Sequence, residues 1–163
     1  MNKVLFLFLI PIISVYGQIQ VVEESEKNSY EENLIGQVNQ FDFGGVFIGI
    51  ASLSKLKVID GKQYYYMSWQ NQEYSTIDDR VSVTFYASEQ ELDGLFDIFK
   101  SVFKNNSDKE VNVGDENFYL KRFSKKTLYI RTKDGWFTVN PAALHALFGK
   151  GWDKKEWKNY LNS

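Results

Sequence analysis

The chain has 163 residues, a formal net charge of −2, 17% aromatic residues, two prolines and no cysteine. Lacking cysteine, it has no disulfide, no thiol nucleophile and no thiolate metal site, so its stability must come from packing. A near-neutral balance with carboxylates along the chain also disfavours strong nucleic-acid binding, which depends on concentrated positive charge.

Met1-Asn2-Lys3 opens the chain, a largely apolar run follows over residues 4–15, and Val15 and Gly17 stand three and one before Gln18. A basic start, about a dozen apolar residues and small residues at those positions predict a signal peptide over residues 1–17. The run is shorter than the ~20 residues that span a bilayer, so the expected location is secreted or periplasmic. Residues 18–40 carry Glu23, Glu24, Glu26, Glu31 and Glu32 with few apolar anchors, and read as a flexible acidic leader. Residues 41–163 are long enough for one domain with a sizeable core.

Within that domain, residues 46–51 and 53–59 read as strand, broken or bulged near 52–55, and Asp60-Gly61 supplies a hairpin turn. Residues 62–74 form the returning strand. After a turn at 76–79, residues 80–86 alternate apolar and polar with the period of a half-buried strand. Ser88 and Glu91 have capping-box spacing. Leu92, Leu95, Phe96, Phe99, Val102 and Phe103 then make one apolar helical stripe through about Lys104. Asn105-Asn106-Ser107, a sequon, lies in a polar loop.

Residues 110–113, 117–123, 127–132 and 136–139 are short antiparallel strands parted by turn residues. Asn140-Pro141 starts a second helix through Phe148 that Gly149 ends. Asp153 and Glu156 begin a last one carrying Trp157, Tyr160 and Leu161. Ser88, Leu92, Leu95 and Phe96 recur as Asn140, Leu144, Leu147 and Phe148, a shift of 52, and residues 59–65 resemble 113–119 at a shift of 54. The expected fold is therefore α+β: one antiparallel sheet of about six strands, both main helices on one face, built as two β-β-β-α units.

Catalytic residue types are scarce. His145 is the only histidine, and its place on a short helix reads as a flank or surface position. With one imidazole and no thiolate, and no calcium loop, no metal or other cofactor is expected. No glycine-rich phosphate loop is present. Asp78-Asp79 is the best carboxylate pair, yet glycoside hydrolysis needs two carboxyls facing each other at roughly 5 to 9 Å, and adjacent residues point apart. Glu89, Asp93 and Asp97 form an acidic stripe on one helix face. Residues 18–117 hold 8 basic and 18 acidic residues and residues 118–163 hold 10 and 3, balances of −10 and +7. Such asymmetry marks either an interaction surface or neutralisation between packed halves.

Strand parity supplies the stronger candidate. Tyr65 and Trp69 share one face of their strand. Tyr119, Lys121 and Phe123 share a face of theirs, as do Tyr129 and Arg131 on the next. With Phe118, Leu120, Leu128 and Ile130 packed under the helices, these seven residues make an aromatic and basic outer face. That chemistry suits a protein, peptide or glycan of the envelope or extracellular space. The expectation is a non-catalytic binding domain. Its rivals are a small envelope hydrolase using Asp78 or Asp79, and an inhibitor or partner of a secreted enzyme.

Overall fold

A computed structural model of the chain describes residues 32–162 apart from 42–43, 57–62 and 75–76. The expected export signal, most of the expected leader and the expected Asp60-Gly61 turn lie outside the described residues. The fold is α+β, but it has two antiparallel sheets of four strands in place of one sheet of about six. The first is a meander of β1 (Asn33–Phe41), β2 (Phe47–Lys55), β3 (Tyr64–Gln70) and β4 (Arg80–Tyr86), followed by α1 (Glu89–Asn105). The second is a meander of β5 (Lys109–Val113), β6 (Glu116–Ser124), β7 (Thr127–Arg131) and β8 (Trp136–Val139), followed by α2 (Pro141–Leu147) and α3 (Lys154–Asn162). Each half thus contains ββββα, one strand richer than the expected unit, and the second half adds α3. The 52-residue echo falls on equivalent positions, because Ser88 and Asn140 are both helix N-caps. The 54-residue echo does not: it matches the third strand of one meander with the second of the other.

Local chemistry explains the helix ends. The Ser88 hydroxyl accepts from the Glu91 amide at 3.2 Å while the Glu91 carboxylate accepts from the Ser88 amide at 2.7 Å, so each satisfies a donor the first turn leaves open. Asn106 ends α1 in the left-handed region, which asparagine tolerates better than most residues. All six residues of the predicted stripe are buried. α1 packs against β6 and β7 of the second sheet, and α2 packs against β1 and β2 of the first. The helix that closes each half therefore also covers the other half's sheet.

Strand β1 occupies the end of the segment that its composition marks as leader. Its anchorage is mostly backbone ladder with β2, which polar sequence does not reveal. Gly36 lets β1 pass against α2, since a Cβ there would lie 1.9 Å from the Ala146 carbonyl oxygen. Where a break or bulge is expected near 52–55, β2 runs unbroken, and the irregularity is a register shift of its partner β1 between Leu34 and Gly36, opposite Ser54 and Leu53. β3, expected to continue to Tyr74, stops at Gln70 and gives way to a 3-10 turn, Gln72–Tyr74.

The reason lies in Gln70, Asn71 and Gln72, of which Asn71 and Gln72 tie the two sheets together through their side chains. β2 pairs with β3 only from Ser52 to Lys55, so beyond Ser68 the backbone of β3 has lost that neighbour. The Gln40 side chain takes its place, accepting from the Gln70 amide at 2.7 Å. Gln70 Nε2 donates to the Ile77 carbonyl, and Asn71 Nδ2 donates to Asp79 Oδ2 at 2.8 Å. Asn71 Oδ1 accepts from the amides of Glu73 and Trp136, and Gln72 bonds both the Phe41 carbonyl and the Thr138 hydroxyl. Asn71 thus holds the Trp136 amide and Gln72 the Thr138 hydroxyl, so β8 meets the first sheet through side chains and not through a backbone ladder. Gly135 is required beside them, because a Cβ would fall 2.4 Å from Asn71 Cγ. Every partner is another protein group, which lets so much polarity be buried without large cost.

The inward faces of both sheets and the helices form one apolar cluster. At its centre Trp69 stacks on Phe137 with centroids 4.9 Å apart and meets Phe118 edge-on. Phe99 reaches Phe118 and Phe148 from α1. α3 docks through Trp157, which is fully buried against Phe103. Arg122 of β6 holds this end by donating to the Phe103 carbonyl and the Tyr160 hydroxyl.

A cationic and aromatic face on the second sheet

The burial of Tyr65 at 1% and Trp69 at 0% removes both from the expected surface. Parity correctly groups them with Met67, but that shared face is the one turned to the core. Tyr65 stacks on Phe85, and Trp69 holds the contact between the sheets.

The other five residues lie on the second sheet. Phe118, Leu120, Leu128 and Ile130 are fully buried, so Tyr119, Lys121, Tyr129 and Arg131, which alternate with them, point outward. Register places Tyr119 opposite Arg131 and Lys121 opposite Tyr129, giving two crossed pairs of one cation and one ring. Phe123 sits at the irregularity between Arg122 and Ser124 and is 66% exposed. Trp136, opposite Arg131 on β8, extends the face, with its ring 5.3 Å from that of Tyr129. Sequence reasoning missed Trp136, although the alternation with Phe137 and Val139 carries the signal.

Carboxylates border the face at one side. Tyr119 Oη donates to Asp108 Oδ2 at 2.6 Å, and this hydrogen bond, ahead of desolvation and the charges of Asp108 and Glu110, raises the phenol above its ordinary pKa. Lys133 is held by Glu116 at 2.7 Å, which raises the lysine pKa as well. Lys121 and Arg131 are exposed within the sheet, and Lys125 and Lys126 stand at the β6–β7 turn. No acidic residue occurs from Phe118 to Lys133. The arrangement offers rigid rings for stacking between cations that can pair with carboxylates or other anions.

The remaining candidates are placed elsewhere. His145 is buried, contrary to the surface position expected for it. Its Nδ1 lies 2.7 Å from the Gly151 carbonyl oxygen and its Nε2 accepts from Trp157 Nε1 at 3.0 Å. A carbonyl can only accept and an indole N–H can only donate, so the ring is held as the Nδ1–H tautomer. Phe96, Trp152 and Trp157 surround it edge-on, and the role is structural. Asp79 is bonded to Asn71 within the joint between the sheets, while its neighbour Asp78 is exposed. In the acidic stripe, Glu89 pairs with Lys55 at 2.9 Å and Asp93 pairs with Lys150. Among the described residues no group of three or more His, Asp or Glu could hold a metal ion, and no helix is long and apolar enough to cross a membrane.

A second surface escaped sequence reasoning altogether. At the end of the first sheet, Phe41, Val46 and Phe47 from the β1–β2 connection and Tyr74 and Ile77 from the β3–β4 connection are 49–62% exposed. The rings of Phe41 and Phe47 meet edge-on with centroids 6.1 Å apart. Gln72 donates to the Phe41 carbonyl and Gln70 to the Ile77 carbonyl. Compared with protein-family models, curated proteins and solved structures, the chain matches none.

Proposed function

We propose that the protein is an exported, non-catalytic binding domain that engages an acidic protein or peptide segment of the envelope or extracellular space through the outer face of its second sheet. The observation that carries this reading is the pair of crossed contacts, Tyr119 opposite Arg131 and Lys121 opposite Tyr129, on a face whose reverse side is fully buried core. A sheet backed by core holds its outer side chains in fixed register, so little ordering entropy is lost when a partner docks. Rings supply contact area and cations supply specificity and rate, as at other charged interfaces. Scarce catalytic residue types and the structural roles of His145 and Asp79 weigh against a hydrolase.

The test uses the exported chain as bait in envelope and secreted extract, beside a Lys121→Glu, Arg131→Glu variant whose fold is checked by circular dichroism. A protein retained by the parent and released from the folded variant supports the reading. Equal recovery by both baits removes this face as the site, and recovery of a neutral glycan alone changes the partner class. Sequencing the N-terminus of the exported chain checks the signal, with Gln18 expected first.

A further inference from the structure

We propose that His145 is an acid-operated latch: when its ring gains a proton it lets go of Trp157, and α3 leaves the body of the fold. His145 is the only histidine in the chain, and histidine is the side chain that ordinarily changes charge between pH 5 and 8. It is buried, and both of its ring nitrogens are engaged. Nδ1 donates to the Gly151 carbonyl at 2.7 Å, and Nε2 accepts from Trp157 Nε1 at 3.0 Å. The second bond requires the neutral ring. A protonated imidazole carries a hydrogen on each nitrogen, so Nε2 would meet the indole N–H donor to donor, with no acceptor between them.

The surroundings favour opening over keeping the charge in place. Phe96, Trp152 and Trp157 enclose the ring with centroids 5.0 to 5.9 Å away, and burying a charge without a counter-ion is costly. Among the described residues no carboxylate hydrogen-bonds or pairs with the imidazole. On α1, Asp93 is held by Lys150 and Asp97 is exposed. Lys100 and Lys104 of the same helix stand over the Phe96 and Trp157 rings and add positive charge. β1 bears no charged residue, and Lys55, the one on β2, pairs with Glu89. Beyond α2, Asp153, Lys154 and Lys155 are exposed. Trp157 is the fully buried side chain by which α3 reaches the core, so the bond that protonation removes lies at the helix's main anchor. Departure of α3 bares Phe103 and leaves Arg122 with the Phe103 carbonyl but without the Tyr160 hydroxyl. The latch acts whatever partner the second sheet takes.

Nuclear magnetic resonance of the purified chain, without a histidine tag and titrated from pH 8 to 5, supplies the test, because the single imidazole and the Trp157 indole N–H report on the two partners separately. As the ring takes up its proton, the indole signal should leave its hydrogen-bonded position. Amide protection at Trp157 and Tyr160 should fall by about tenfold relative to Ile130 in the core, the scale of one lost hydrogen bond. His145→Gln keeps an acceptor for the indole and has no proton to gain, so its α3 should stay protected throughout. Trp157→Phe removes the donor, and should leave α3 less protected at pH 8 with the pH dependence flattened. A ring that protonates while Trp157 and Tyr160 stay protected overturns the latch, as does a ring that stays neutral until the whole chain unfolds. Equal loss of protection in the parent and in His145→Gln also overturns it, by placing the titrating group elsewhere.

Discussion

Gln40 of β1 hydrogen-bonds the backbone of Gln70 in β3, although β2 lies between the two strands in sheet order. It accepts from the amide at 2.7 Å and donates to the carbonyl at 3.4 Å, replacing ladder bonds that β2 does not make there. Both residues are buried. Gln40→Ala should therefore cost about 1–3 kcal/mol, the usual penalty for a buried backbone donor left without a partner. Gln40→Met, which restores length without an acceptor, should recover little of that loss. Urea unfolding of the three proteins checks this, and full recovery by methionine would show that packing, not hydrogen bonding, matters at this position.

His145 joins α2 to the segment that leads into α3. His145→Ala should cost about 2–4 kcal/mol, because it opens a cavity among aromatic rings and strands the Trp157 indole N–H. Trp157→Phe removes the donor and leaves His145 Nε2 unpaired, so it should be destabilising too. The double variant should then be less destabilised than the two single losses added together. Thermal or denaturant melts of the cycle measure the coupling.

Tyr119 gives a titration that can be followed directly. Its phenol is raised above the ordinary value near 10 because the protonated hydroxyl donates to Asp108. The sign follows from that: the favourable contribution is present below the unfolded pKa and is lost as pH climbs through the folded one. Ultraviolet titration of the parent against Tyr119→Phe should assign a late-ionising phenol to this residue. Asp108→Asn should move it to lower pH, and an unmoved midpoint would exclude the carboxylate as the cause.

Gly135 separates β7 from β8 with a φ of 156° and has Asn71 where a side chain would begin. Gly135→Ala should displace the Asn71 amide from Asp134, Trp136 and Asp79, destabilising the protein by about 1–3 kcal/mol. Amide exchange should quicken first at Trp136 and Glu73, whose amides donate to Asn71 Oδ1.

The Ser88 cap supplies a smaller, local effect. Ser88→Ala removes one half of the capping box and should cost about 1 kcal/mol, while Ser88→Asp should keep most of it. Thermal melts of both variants distinguish cap loss from a general effect of substitution at this position.

Helix α1 was legible in the sequence to within a residue or two, because cap, stripe and length all point the same way. The second sheet was nearly as legible, since Phe118, Leu120, Leu128 and Ile130 alternate with residues of a different kind. Tyr65 and Trp69 show where parity ends: period two groups side chains by face, but both faces of β3 are rich in rings and hydroxyls, so the core side is set by contacts with Phe85 and Phe137. The division into two sheets was hidden for a related reason. It depends on Gln40, Asn71 and Gln72 bonding to residues 30 to 66 positions away, and polar residues at such separations leave no periodic signal. The exposure of Phe47 and Ile77 was illegible because periodicity shows which side chains share a face, not which face lies against the core.

The crossing of the two helices also bears on how the chain acquires its structure. With α1 lying on β6 and β7, and α2 lying on β1 and β2, the first hundred residues leave part of their sheet without its cover until nearly the last segment has arrived. Contacts between such distant segments carry a high loop-closure cost before they are rewarded, so folding should be slow and largely all-or-none. A nick in the polar loop after α1 would accordingly yield two fragments that are each unfolded in isolation yet reconstitute one another when combined.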